Sequence, residues 1–213
     1  MIRPDVLLFD WDNTLVDGWA GITGALNATF TAFDKPLWTI EETRGRVRVA
    51  LRESFPVMFG NAWEQARDVF YTAFERDHLD HVKPMPGVAA MLTAAAGWPR
   101  GVVSNKAGKP LRAEVRHLGW DPHFISVVGA GDAHADKPDP APILMALQRI
   151  GVPASRSVWY MGDTSLDMRA ARAAGVTAVL VGDASHDGGV ELGAQDLHVQ
   201  SADELAAWLK SLV

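Results

Sequence analysis

Val6-Leu7-Leu8-Phe9-Asp10-Trp11-Asp12-Asn13-Thr14-Leu15 is an apolar run that stops at two aspartates one residue apart. Val, Leu and Phe in succession fit a strand buried on both faces, as in the middle of a parallel sheet. In such sheets the ligand crevice lies at the carboxyl ends of the strands. If the extended alternation carries through, Asp10 and Asp12 point one way and Trp11 the other, so both carboxylates reach one cation. Two anions this close repel and shift each other's pKa unless a metal, a lysine or an arginine compensates. The pair therefore predicts a partner elsewhere in the chain. The plain alternative is a turn, for which Asp, Asn and Thr are ordinary formers.

The rest of the composition narrows the setting. A chain of 213 residues can bury a sizeable core, either as one α/β domain with an insertion or as two small domains. Its 48% hydrophobic content is that of a globular protein. A net charge of -6 with no basic run gives no support for a nucleic-acid surface, so an anionic substrate would need local positive charge. The absence of cysteine excludes disulfides and thiolate metal sites. Met1-Ile2-Arg3-Pro4-Asp5-Val6 leads straight into the strand without a secretory pattern. No apolar run is long enough for a bilayer, so the expectation is a cytoplasmic protein without a membrane partner.

After Asp17 the apolar spacing turns helical. Trp19, Ile22, Leu26, Phe30 and Phe33 recur every three or four residues, as do Trp63, Ala66, Phe70, Ala73 and Phe74. Between these stripes, Thr39-Ile40-Glu41-Glu42 has the form of a capping box. Residues 17–83 thus read as an all-helical insertion, placed where a lid could exclude water and select substrates. Pro84-Met85-Pro86-Gly87 is a stiff boundary. Beyond it, strands and helices alternate. Gly101–Ser104, Ser126–Gly129, Ser157–Gly162 and Val176–Val181 read as strands; Leu111–Leu118, Pro140–Ile150 and Leu166–Ala174 read as helices, and Ser201-Ala202-Asp203-Glu204 caps a last helix. The expected architecture is α/β: a doubly wound parallel sheet from residues 1–16 and 84–213, carrying the helical domain 17–83.

A parallel sheet directs the search for chemistry to its other strand ends. Ser104-Asn105-Lys106 offers a hydroxyl and an amide suited to an oxyanion. Asp136-Lys137-Pro138-Asp139-Pro140 puts a lysine just before a helix, an unfavourable place for a merely solvated cation. Gly162-Asp163-Thr164-Ser165-Leu166-Asp167 ends one strand with an aspartate and opens a helix with another, although Thr164 and Asp167 also suit a simple N-cap pair. The seven histidines show no metal spacing and read as structural or surface residues.

The order Asp-x-Asp-x-Thr, Ser, Lys, Gly-Asp with a second Asp resembles the haloacid dehalogenase superfamily of phosphotransferases, over nearly the whole chain. The resemblance implies that Asp10 is the nucleophile, forming an aspartyl-phosphate, and that Asp12 is the general acid and base. It implies magnesium, held by Asp10, the backbone carbonyl of Asp12 and Asp163, with Asp167 ligating through water or orienting the shell. Ser104 and Lys137 would hold the phosphoryl oxygens, with Lys137 also offsetting the charge of Asp10. Thr14 would position Asp10 and stands among the substrate-side residues.

Two departures from the family pattern are visible. Asn13 replaces the usual glycine, and Asn tolerates a left-handed backbone. Trp11 replaces a smaller Leu or Met and is expected to pack behind the sheet end. The helical insertion is similar to the small cap of the phosphoglycolate phosphatase and β-phosphoglucomutase branch, which makes Arg48, in Gly45-Arg46-Val47-Arg48, the candidate for the substrate's distal anion. Asn105 and Lys106 resemble the Thr-Asn-Lys of phosphoglycolate phosphatases and join it as substrate-binding candidates.

The expectation is a magnesium-dependent phosphatase for a small, phosphoglycolate-like metabolite, working as a monomer or homodimer. A phosphomutase shares every core residue and is the nearest alternative; a regulator that binds phosphate ligands without turnover is the alternative of another class. Dehalogenation is disfavoured because it has no use for Asp12 or a metal.

Overall fold

A computed structural model describes residues 3–47 and 51–212, the side chains of 51–53 excepted. The chain divides into two compact units, Met1–Val16 with Pro84–Val213, and Asp17–Lys83. The crossings between them are the two-residue strands β2 (Val16–Asp17) and β3 (Lys83–Pro84), which pair with each other.

The first unit is built on a parallel sheet of β1 (Val6–Phe9), β4 (Arg100–Ala107), β5 (Ser126–Ala130), β6 (Val158–Gly162), β7 (Thr177–Val181) and β8 (Leu197–Val199), in the order β5-β4-β1-β6-β7-β8. All four residues of β1 are buried, as a strand covered on both faces must be. Val6 and Leu8 pack with Ile143 and Leu147 of α7 (Ala141–Ile150) and with Met168 and Ala171 of α8 (Ser165–Ala173). On the alternate face, the Phe9 ring meets Phe124 edge-on at 6.5 Å. The remaining helices of this unit are α5 (Val88–Ala94), α6 (Gly108–His117) and α9 (Ala202–Ser211), the last N-capped by Ser201.

The register of this sheet decides where the polar groups come. Phe9 is level with Val102 on one side and with Met161 on the other, so Asp10, Ser104 and Asp163 follow at the same edge. The chain lays β4 and β5 on one side of β1 before returning to lay β6, β7 and β8 on the other. Such a reversal opens a crevice at the carboxyl ends of the two strands flanking it.

The second unit contains α1 (Trp19–Ala32), α2 (Ile40–Arg46), α3 (Leu51–Phe59) and α4 (Trp63–His81). Its core joins Leu26 and Phe30 of α1, Phe55 and Phe59 of α3, and Ala66, Phe70 and Ala73 of α4. The aromatic stripes are thus helix-helix packing, with the Phe55 and Phe70 rings perpendicular at 5.7 Å. The capping box on α2 is formed by Thr39 and Glu42. Arg44 lies 3.8 Å from Asp17, and Arg46 is paired with Glu42 and sits over the Trp38 ring. Arg48 lies outside the described residues.

Several elements had no counterpart in the sequence reading, among them the short pair β2 and β3, strand β8 and helix α5. Strand β8 has three residues, too few to show an alternation, and α5 follows directly on the Pro-Gly boundary, where helix continuation looked unfavourable.

Candidate active site

Lys137 is the centre of the crevice. It leaves the loop before α7 with its side chain only 3% exposed, and its Nζ lies 2.6 Å from Asp10 Oδ1 and 2.6 Å from Asp167 Oδ1. It also donates to the Tyr160 hydroxyl at 2.9 Å, and that hydroxyl donates in turn to the Val103 carbonyl at 2.9 Å. A lysine at a helix start would be misplaced in water; here carboxylates from two other elements hold it.

Asp167 is at once a cap and a site residue. Its Oδ2 accepts the Thr164 N–H at 3.2 Å and the Thr164 hydroxyl at 2.5 Å, closing the capping box of α8, and this turns Oδ1 toward Lys137. The N-cap pair is formed, and it leaves the other carboxylate oxygen free to face the crevice. Gly162 makes this possible, since a Cβ there would collide with the Asp167 side chain.

Asp10, Asp163 and Asp167 are buried, with carboxylate oxygens within 4.8 Å of one another. Burial lifts Asp10 well above the ordinary aspartate value while Lys137 opposes it; Asp163 is also raised by burial, with His186 opposing. Burial works against the Lys137 ammonium too, yet Asp10 and Asp167 hold it well above the ordinary lysine value. Three carboxylates face one ammonium and, on Asp163, the His186 imidazole, so their negative charge is only partly offset in a site shielded from water. Clustered oxygen donors of this kind fit a hard divalent cation, so the residues present suit magnesium.

Asp12 does not share that cluster. The expectation that the Asp10 and Asp12 carboxylates converge on one cation is corrected: Asp10 N–H still bonds the Met161 carbonyl at 2.7 Å, but the chain turns at once beyond Asp12, and the two carboxylates take different partners. Asn13 stands at φ 61°, in the left-handed region, and turns the chain back so that its N–H reaches the Val16 carbonyl at 2.7 Å. The Asp12 carboxylate instead meets Lys106, with Oδ1 2.8 Å from Nζ. Burial raises Asp12 above the ordinary aspartate value, with Lys106 opposing.

The structure gives several expected substrate contacts other partners. Lys106 also lies 2.7 Å from Glu114 Oε2. Asn105 accepts the Lys137 N–H and donates to the Lys137 carbonyl, both at 3.0 Å, so its amide clamps the loop that carries Lys137. Thr14, expected beside Asp10, donates to Asp163 Oδ1 at 3.1 Å. Ser104 is 3% exposed at the crevice, and its Oγ accepts the Lys106 N–H at 3.1 Å, which leaves its own proton to donate.

Three residues of this site were not singled out from the sequence. Tyr160 belongs to an apolar strand run and Glu114 to a helix where glutamate is ordinary. His186, counted among structural or surface histidines, brings Nε2 to 3.0 Å from Asp163 Oδ2 out of the 3-10 turn Ser185–Asp187. The one available signal was Glu114 itself, a charge among the apolar positions Leu111 and Val115.

Residues 7–181 match the haloacid dehalogenase-like hydrolase family, and the chain belongs to that family. It is an enzyme of the family's phosphatase kind. A phosphoglycolate phosphatase of Xanthomonas campestris pv. campestris is 31% identical over 182 residues, covering 83% of this chain and 82% of the relative. Another, from Chromobacterium violaceum, is 31% identical over 215 residues and 95% of each chain. A haloacid dehalogenase-like family hydrolase from Streptococcus pneumoniae has the same fold, with a TM-score of 0.84 at 21% identity over 96% of this chain and 98% of the other. No described helix is long and apolar enough to cross a membrane.

Proposed function

We propose that this protein is a magnesium-dependent, cytoplasmic phosphatase that hydrolyses a small phosphorylated acid, phosphoglycolate-like, through an acyl phosphate on Asp10. The observation that carries the reading is the buried set of Asp10, Asp163 and Asp167 around Lys137 at the carboxyl edge of a parallel sheet. The substrate class is supported by the relatives named phosphoglycolate phosphatase. Residues 17–83 are assigned the role of a substrate-selecting cap, and the phosphorylated metabolite is the only partner the reading requires of a monomer or homodimer.

Asp10 attacks phosphorus through a carboxylate oxygen as the bond to the leaving oxygen breaks, which divides one hard displacement into two easier ones. Asp12 gives a proton to the departing oxygen and then takes one from the water that hydrolyses the acyl phosphate. A carboxyl raised by burial is suited to hold that first proton. Lys137 and the Ser104 hydroxyl stabilise the phosphoryl oxygens as charge develops on them. Asp10, Asp163 and the Asp12 carbonyl would hold magnesium, with Asp167 orienting the set; when bound, the ion neutralises the carboxylates and polarises the phosphoryl group.

The test is phosphate release across a panel of small phosphate monoesters with magnesium, beside the Asp10→Asn variant. Wild-type protein is expected to favour short phosphorylated acids, and Asp10→Asn to lose at least about 10³-fold in kcat. Release from no ester, or equal activity in the variant, would sink the reading.

A further inference from the structure

Glu114 presents a buried charge that the phosphatase chemistry does not itself require. It sits on α6 with its side chain 1% exposed, between Leu111 and Val115 on the face turned to the sheet. Its Oε2 accepts the Trp11 indole N–H at 2.6 Å, and the Lys106 ammonium donates to Oε1 at 2.9 Å and to Oε2 at 2.7 Å. Lys106 also donates to Asp12 Oδ1 at 2.8 Å. An ammonium has three protons, so these contacts turn Lys106 toward protein carboxylates. Trp11, the residue between the two aspartates, is fully buried and packs edge-on against Trp120 at 5.7 Å.

A buried ionic group of this kind is weak support for stability, because apolar residues of similar volume would often serve as well or better. Its geometry has another use. A proton carrier must sit within hydrogen-bond reach of the atom it serves, and a displacement of about 1 Å can cost about 10²-fold. With Oδ1 of Asp12 tied to Lys106, and Lys106 tied through Glu114 to α6 and the Trp11 indole, the carboxyl has one orientation, with Oδ2 left for the reacting oxygen.

We propose that Trp11 and Glu114 are positioning residues that hold Lys106 against Asp12, so that Lys106 orients the proton carrier instead of binding substrate. This rests on the assignment of Asp12 as the acid that protonates the leaving oxygen.

The measurement is kcat/KM with magnesium for two monoesters, one with an alkyl leaving group and one with a nitrophenyl leaving group that departs without a proton. Glu114→Gln is expected to lower the alkyl value at least about tenfold and the nitrophenyl value less than about threefold, with KM for both little changed. Trp11→Phe keeps the ring and should shift the ratio in the same direction by less; it carries the test if Glu114→Gln fails to fold. Equal losses on both esters would mean a merely structural role, and a rise in KM alone would return Lys106 to the substrate; either overturns the inference. Wild-type protein active on neither ester removes the assignment of Asp12 and the inference with it.

Discussion

Asp10 and Asp12 are two positions apart, and each meets a buried lysine, yet the two surroundings differ in what they leave over. Lys137 joins Asp10 to Asp167, with Asp163 close by and the Tyr160 hydroxyl as a further neighbour. Lys106 joins Asp12 to Glu114, with the Trp11 indole as the neighbour. Both groups pair a lysine with carboxylates and an aromatic donor, but the first has three carboxylates for one ammonium and the second has two. The Asp10 group, whose Asp163 also meets the His186 imidazole, gathers three carboxylates with oxygens within 4.8 Å of one another, a donor set for another cation that the Asp12 group lacks among the described residues. Asp12 is also more open, its side chain 23% exposed against 9% for Asp10. A nucleophile can stay enclosed on its metal and phosphate, whereas a proton carrier has to meet water and the leaving group.

Removing each lysine should separate the groups most widely. Lys137→Met leaves the buried Asp10 and Asp167 without their ammonium and is expected to cost about 3 kcal/mol of unfolding free energy in chelator, less with magnesium, together with nearly all turnover. Lys106→Met should retain kcat/KM for the nitrophenyl ester, whose transfer step needs no proton, and show no comparable dependence of stability on magnesium. Urea unfolding with and without the metal, beside turnover of both esters, measures this, and matching behaviour of the two variants would erase the distinction.

The aromatic donors give a smaller contrast. Tyr160→Phe takes a donor from the Val103 carbonyl and a neighbour from Lys137, and should cost about 1 kcal/mol with similar losses on both esters. Trp11→Phe should instead change the alkyl to nitrophenyl ratio. If Tyr160→Phe changed that ratio as much, the two lysines would not be serving separate steps.

Arg156 and Asp196 provide the baseline of an ion pair near solvent, at 2.7 Å with side chains 49% and 28% exposed. Arg156 and the Ala178 N–H hold Asp196 below the ordinary aspartate value, so its contribution is present above the unfolded carboxylate pKa and disappears as pH falls through the folded one. Asp196→Asn is expected to cost no more than about 1 kcal/mol at neutral pH, and the difference should close toward acid. Unfolding curves along a pH series would show whether it does.

Much of the Asp10 group was legible because each member ends or follows an apolar run. Asp10 and Asp163 follow directly on strands, Ser104 ends the apolar part of β4, and Lys137 stands where a helix dipole makes a lysine conspicuous. The Asp12 group was legible only in Asp12 itself. Glu114 is 103 positions from Trp11, and its place between Leu111 and Val115 marks burial without naming a partner. Asn105 and Lys106 lie in the last residues of β4 but take other partners than expected, since nothing in that short polar stretch tells whether its side chains face outward or clamp a neighbour.

The sequence by itself determined the apolar runs, their alternation with helices and the polar residues that terminate them, because those are properties of neighbouring positions and of the periods of strand and helix. The tertiary structure alone decided which carboxylate meets which lysine. That choice follows from strand order and from the turn at Asn13, just past the two aspartates. The pairing depends on elements brought together by the closing of the sheet, and no local period records it.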